Sequence, residues 1–288
     1  MKNYLHALFL LCFVVGSYAQ TDNVTVESTE AGMKLVVNGE DFMINGMNWD
    51  YIPIGTNTVN AKFWEKSDDI IKAGLDTEMP LLKNMGVNVI RQYTGVPAKW
   101  IRYIYENYGI YTVLNHSFGR YGLTLDGVWT PVTIYDDPKT QQFLLSEVET
   151  LVADYKDTPG LLLYLLGNEN NYGLFWAGAE TEDFPDDEER INFIGESRGR
   201  PMYRLMNEAA KKMKAMDTSH PVAICNGDVL FIDIVAEECT DIDIYGTNTY
   251  RGVSFGDMFQ VVKDKLNKPI MFTEFGADAF NAIENKED

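Results

Sequence analysis

Two glutamates carry the first chemical signal in this sequence. Glu169 follows the apolar run from Leu161 to Leu166 through Gly167-Asn168, and Glu274 follows the run from Pro269 to Thr273. A glutamate at the end of a strand can simply meet solvent or pair with a neighbouring arginine. Two of them, with Asn168 directly before the first, are harder to explain that way. A pair of facing carboxylates suits cleavage of a glycosidic bond. One must be protonated to assist the leaving oxygen, and the other ionised to attack the anomeric carbon. Environment separates such roles. Arg91 near Glu274 would favour its ionised form, while Glu169 beside the neutral Asn168 could retain its proton.

Those side chains need elements that bring them to one place. From residue 42 onward, short β-rich runs alternate with helical patterns, the signature of βα units and a parallel sheet. Strands are predicted at 42–49, 87–93, 110–116, 161–167, 221–225, 242–247 and 269–273. Several are continuously apolar, as strands buried on both faces are. Helices are predicted at 75–85, 98–108, 139–156, 201–216, 231–238 and 255–266, with stop signals such as Gly86, Gly109 and Thr158-Pro159-Gly160 before the next strand. The expected fold is α/β, a (β/α)8 TIM-type barrel of which seven βα units are visible. Residues 20–41 precede it, and Asn38-Gly39 marks a short β-hairpin capping its base. The barrel spans 42–288, and an eighth strand with its helix needs a few tens of residues more. The expectation is a chain that stops before that strand. In such a barrel the active site lies at the C-terminal ends of the strands, where Arg91, His116, Asn168-Glu169, Asp228, Tyr250 and Glu274 fall.

Bulk properties narrow the class. The net charge of −19 argues against nucleic acid, which needs a basic face, and a neutral substrate suits it better than an acidic one. Residues 1–19 read as a signal peptide: Lys2, an apolar run from Leu5 to Val15, then Ser17-Tyr18-Ala19. The run is shorter than the ~20 residues that span a bilayer. The protein is therefore expected to be exported, periplasmic or extracellular, with no membrane span. Without residues 1–19 the cysteines left are Cys225 and Cys239, whose pairing spacing cannot decide. His116 and His220 are too few for a His-rich metal site, so no metal and no cofactor are expected. The turn after the first barrel strand is not glycine-rich and no G-x-S-x-G elbow occurs, which excludes a dinucleotide fold and a serine hydrolase.

Gly167-Asn168-Glu169 on the fourth barrel strand and Thr273-Glu274-Phe275-Gly276 on the seventh resemble clan A retaining glycoside hydrolases. Val37-Asn38-Gly39-Glu40-Asp41-Phe42 with Ile44-Asn45-Gly46-Met47-Asn48-Trp49 resembles the opening of the glycoside hydrolase family 2 catalytic barrel. Asp243 to Tyr250 is similar to β-1,3-glucanosyltransferases. The resemblance covers roughly residues 34–280. It implies Glu169 as acid/base and Glu274 as nucleophile of a double displacement on β-linked glycans. It implies Asn168 on the sugar 2-hydroxyl, Arg91 holding the nucleophile, and Tyr250 hydrogen-bonded to it. The sequence departs from the clan where a strand-eight aromatic often floors the sugar, and the β-sandwich domains that the family 2 resemblance would lead one to expect before the barrel are not visible in these residues.

Aromatic residues at strand ends and in loops could stack on sugars: Trp49, Tyr51, Trp64, Tyr172, Phe175 and, preferred for their long loops, Trp129 and Trp176. Each singly is more often packing. His116 could line the pocket or be a core histidine, and Asp228 reads as a helix N-cap before Phe231. Two other readings stand beside hydrolysis. One is a transglycosylase using the same residues, and the other is a non-catalytic carbohydrate-binding protein.

Overall fold

The computed structural model describes residues 21–30, 32–52, 62–175 and 187–276. The expected signal peptide at 1–19 and the candidate Trp176 lie outside the described residues. In chain order the elements are β1 (Val24–Thr29), β2 (Gly32–Val37), β3 (Glu40–Phe42), β4 (Gly46–Asn48), α1 (Asp68–Asn84), β5 (Val89–Tyr93), α2 (Ala98–Tyr108) and β6 (Tyr111–His116). Then come β7 (Leu123–Leu125), β8 (Val128–Thr130), α3 (Pro138–Tyr155), β9 (Leu161–Leu166), α4 (Asn170–Gly173), α5 (Asp187–Ile194) and α6 (Arg200–Met216). The chain continues with β10 (Val222–Gly227), α7 (Ile232–Glu238), β11 (Ile244–Thr249), α8 (Met258–Lys265) and β12 (Ile270–Phe275).

Seven of these strands form one parallel sheet in the order β12-β11-β10-β9-β6-β5-β4. Sequential βα units wind it into a TIM-type barrel, as the alternating pattern requires. Among the described residues β4 and β12 share no backbone ladder. Side chains cross that seam instead: Asn48 Nδ2 and Arg91 Nη1 donate to the carbonyl of Thr273, at 3.2 and 3.4 Å.

The alternation of side chains along each strand makes two cores. Val89, Val113, Leu163, Leu165, Ala223, Cys225 and Ile244 fill the barrel interior. Their neighbours Ile90, Leu114, Tyr164, Leu166 and Ile224 face the helices. On α1, Ile71, Leu75, Met79 and Leu82 repeat every three to four residues, and all are buried against the barrel. Helix α3 starts where Pro138 follows Asp137, whose carboxylate accepts the Thr140 N–H at 2.8 Å.

The predicted strand 42–49 is in fact two. Asn38 and Gly39 both have positive φ (53° and 86°), the geometry of a tight hairpin turn. That turn folds β3 back onto β2, so β1, β2 and β3 form a three-stranded antiparallel sheet rather than a single hairpin. Val24 and Val37 then join the barrel interior from its base, where Val24 N donates to Ser219 O at 2.8 Å just before β10. None of the helices among the described residues is long and apolar enough to cross a membrane.

Candidate active site

Arg91 is the centre of a cluster at the C-terminal ends of the strands. It faces the barrel axis because it alternates with Ile90 and Gln92 on β5, and it is 7% exposed. Its Nη1 donates to Glu274 Oε1 at 2.8 Å. Nη2 reaches Asn168 Oδ1 at 2.7 Å and Asn115 Oδ1 at 2.5 Å, and Nε also reaches Asn115 at 2.8 Å. The other oxygen of Glu274 accepts from the Tyr250 hydroxyl at 2.9 Å. Both oxygens therefore act as acceptors, the bonding pattern of a carboxylate rather than a carboxylic acid. Burial would lower the Arg91 pKa, but nearby Cys225, Tyr93 and Glu274 outweigh it and the net shift is upward. Burial first, and then the hydrogen bond and charge of Glu274 and the charge of Glu169, push the Tyr250 phenol up to about 12. Tyr250 thus stays a donor throughout the neutral range.

Glu169 leaves the end of β9 on a strained turn. Gly167 has φ 83°, and Glu169 itself is left-handed at φ 56°, a conformation that costs a non-glycine residue roughly 1–2 kcal/mol. The turn is pinned from several sides. Glu169 N donates to Cys225 O at 2.9 Å, Asn168 N to Asn170 Oδ1 at 2.8 Å, and Arg120 Nε to Asn168 O at 2.9 Å. The Glu169 side chain is half-buried and has no hydrogen-bond partner among the described residues. The turn sets Glu169 just beyond the C-terminal end of β9, the same end of the sheet at which β12 carries Glu274, and its charge adds to the upward shifts of the Tyr250 and Tyr172 phenols. Strain of this kind persists where surrounding structure over-determines it, commonly at functional sites.

The chain matches the family model for the glycosyl hydrolases family 2 TIM barrel domain over residues 28–287. The chain belongs to this family. Solved structures similar to this family 2 barrel include a β-glucuronidase of Parabacteroides merdae (TM-score 0.54, 20% identity, 89% of this chain and 26% of that one). A β-D-glucuronidase of Dictyoglomus thermophilum is similar at TM-score 0.53 and 18% identity, covering 91% and 40%. A β-galacturonidase of Eisenbergiella tayi reaches TM-score 0.57 at 14% identity, covering 91% and 39%. At such identities the likeness is one of fold, and the family 2 barrel spans 26–40% of the length of these three proteins. A search of curated proteins finds no significant match.

Around the mouth of the family 2 barrel the other candidates divide. His116 faces the helix layer: its Nδ1 accepts from Phe118 N at 3.2 Å and its Nε2 lies 3.4 Å from Glu147 on α3. Asn115, one residue earlier and buried, is the side chain that this strand sends to Arg91. Trp129 is 61% exposed on the β7–β8 hairpin. Tyr121, not singled out from sequence, accepts from Asn168 Nδ2 at 2.8 Å. Phe175 stacks on Phe231 with centroids 5.9 Å apart, a packing role. Asp228 is no helix cap, since Phe231 holds that position. Its carboxylate instead binds Arg251 at 2.7 and 2.5 Å, fixing the segment that follows Tyr250. Cys225 and Cys239 are both free and buried. Cys225 lies under the cluster, with Thr273 Oγ1 at 3.2 Å and Asn248 Oδ1 at 3.3 Å. Burial pushes its thiol up, with Arg91 opposing.

Proposed function

We propose that the chain is the catalytic barrel of a retaining β-glycosidase, with Glu274 as nucleophile and Glu169 as general acid/base. The observation that carries this reading is the single hydrogen-bonded cluster. Arg91 holds the carboxylate of Glu274 and, through Asn168, the turn that presents Glu169. In the first step a Glu274 oxygen bonds to the anomeric carbon as the glycosidic C–O bond breaks. Glu169 gives its proton to the departing oxygen. In the second step water loses a proton to Glu169, its oxygen attacks the same carbon, and Glu274 leaves. Asn168 Oδ1 is committed to Arg91, so its Nδ2, now on Tyr121, is the donor available to a sugar 2-hydroxyl.

The preferred substrate is neutral. Arg91 is engaged by Glu274, and Arg251 by Asp228 and Asp257, so neither offers an uncommitted cation to a uronate. The test follows products by NMR on neutral β-glycosides with β-glucuronides in parallel, and it distinguishes water from sugar as the acceptor. Retention of the β-anomer is expected. Glu274→Ala should lose turnover, with azide restoring slow cleavage to an inverted product. Glu169→Ala should still glycosylate Glu274 from substrates with activated leaving groups, which need no proton. Near wild-type activity in either variant would remove that residue from the mechanism.

A further inference from the structure

Tyr172 lies just beyond Glu169, on the short helix α4 into which the β9 turn opens. Gly227, at the end of β10, fixes where its ring can be. Side chains alternate along a strand, so Gly227 faces the same way as Cys225 and Ala223, which fill the barrel interior. Asn226 between them points the other way and accepts from the Tyr203 hydroxyl on α6. The interior face of β10 is the one that meets the catalytic cluster, since Cys225 Sγ lies 3.6 Å from Arg91 Nη2. A Cβ on Gly227 would meet Cε2, Cδ2 and Cζ of Tyr172 at 2.2, 2.5 and 2.8 Å. The Tyr172 ring thus takes the space that a side chain of β10 would fill on the axis side of the mouth.

The ring is clamped there. Asn171 is wholly buried; its Nδ2 donates to Gly227 O at 2.9 Å, and its Oδ1 accepts from Gly227 N at 2.8 Å. Tyr172 N donates to Glu169 O at 3.0 Å. Yet Tyr172 is 39% exposed, and its hydroxyl has no hydrogen-bond partner among the described residues. Core packing does not account for a ring fixed at the strand ends and left open with its polar tip unused. An aromatic side chain with one side on backbone and an accessible hydroxyl suits a sugar, which offers both an apolar face and hydroxyls.

The place of β10 decides which sugar. It stands between β9, from which Glu169 leaves, and β11, whose end leads to Tyr250. In a double displacement Glu169 protonates the departing oxygen, so the leaving group lies on its side of the bond. We infer that Tyr172 is the platform of the leaving-group subsite, on which the departing sugar stacks in the first step and an acceptor sugar in the second. In that second step the acceptor hydroxyl gives its proton to Glu169, its oxygen bonds to the anomeric carbon, and the bond from that carbon to Glu274 breaks. The inference rests on the glycosidase reading and deepens it, since it names the residue that selects a sugar over a small alcohol at this position.

The test isolates the second step. The protein is treated with dinitrophenyl 2-deoxy-2-fluoro-β-glycosides of glucose, galactose and mannose, and peptide mass mapping locates the sugar on Glu274. Excess reagent is removed, and the return of activity on the matching dinitrophenyl β-glycoside is followed in buffer, with methanol, and with the methyl β-glycosides of the same three sugars or cellobiose. In wild type at least one sugar should speed the return saturably, whereas methanol, which needs no platform, should act in proportion to its concentration. Tyr172→Ala should raise the half-saturating sugar concentration about threefold to tenfold, the size of one aromatic contact. The methanol response should move much less. Tyr172→Phe keeps the ring and should keep most of the sugar response. Gly227→Ala displaces the ring without removing it, so it should act like Tyr172→Ala and carries the test if that variant fails to fold. No saturable sugar response in wild type, or an equal one in the folded variants, overturns the platform. So does an equal loss for methanol and sugar, which would mean damage to the Glu169 turn alone. If none of the reagents labels Glu274, the glycosidase reading itself falls, and the subsite with it.

Discussion

Asn115 holds Arg91 with two hydrogen bonds through a single oxygen, while its Nδ2 donates to Gly167 O at 2.8 Å at the head of the Glu169 turn. It touches neither glutamate, yet it couples the arginine of one to the backbone of the other. Asn115→Ala would leave two guanidinium N–H groups and a turn carbonyl without partners in a buried place. The expected cost is about 2–3 kcal/mol of stability, read as a lower urea midpoint at constant m. The expected fall in kcat is up to about 10²-fold, from misplacement of the reacting groups. Loss of stability with kcat unchanged would make Asn115 purely structural. At this scale the sequence is uneven evidence. Glu274 stands out as a carboxylate in an apolar strand, while the roles of Arg91, Asn168 and Tyr250 are legible through the family resemblance, and the structure brings all four into one hydrogen-bonded cluster. Asn115 is hidden because β6 ends in two polar residues and histidine has the louder chemistry. The two-residue period of a strand separates them: Val113 is inside, so Asn115 is inside and His116 is outside.

The strands and helices of the barrel are legible because burial on both faces forces apolar runs, and the βα alternation permits few topologies. What escapes the pattern is local. Pro201 reads as a helix start, yet a π-helical turn at Gly195–Gly199 joins α5 to α6 without a break, so the missing proline N–H falls where the bonding already shifts. The β7–β8 hairpin is three residues a strand, too short to show a period. Two glycines test which turns serve the site. Gly167 and Gly109 both have positive φ, at 83° and 69°. A Cβ on Gly167 would meet Asn170 Oδ1 at 2.8 Å and Met206 Cε at 3.0 Å, whereas one on Gly109 meets nothing within 4 Å. Each alanine variant should lose about 1–2 kcal/mol through the left-handed backbone. Gly167→Ala should also cut kcat several-fold beyond Gly109→Ala, since its clash moves the segment that carries Asn168 and Glu169. Equal kcat in the two variants, at equal fraction folded, would show that the β9 turn tolerates displacement.

The whole molecule is strongly acidic and rich in buried phenols, and the two features meet at high pH. Tyr135, Tyr164, Tyr203 and Tyr245 are buried, and burial is the first cause raising each phenol above its ordinary value. Each hydroxyl also donates: Tyr135 to Phe118 O at 2.9 Å, Tyr164 to Asp217 at 2.8 Å, Tyr203 to Asn226 at 2.5 Å, and Tyr245 to Asp228 O at 2.7 Å. Ionisation would remove the donated proton and leave a phenolate in an apolar interior. In the unfolded chain the same groups titrate near about 10. Above that pH the unfolded state has released protons that the folded state still holds, so stability falls as pH rises. Raised folded values put the contribution fully in place below about pH 10 and remove it across the alkaline side. Several phenols released together make the loss steep. The chain's formal −19 grows more negative as lysines lose charge, and self-repulsion acts in the same direction. Phenolate absorbance near 295 nm and far-UV circular dichroism, followed from pH 8 upward, are therefore expected to change together in one cooperative transition. Added salt should raise its midpoint only slightly, since screening relieves the repulsion but not the burial of phenolates. Full ionisation of the tyrosines with the dichroism unchanged would mean that these rings are open to solvent in the native protein, contrary to their place in the two layers of the barrel.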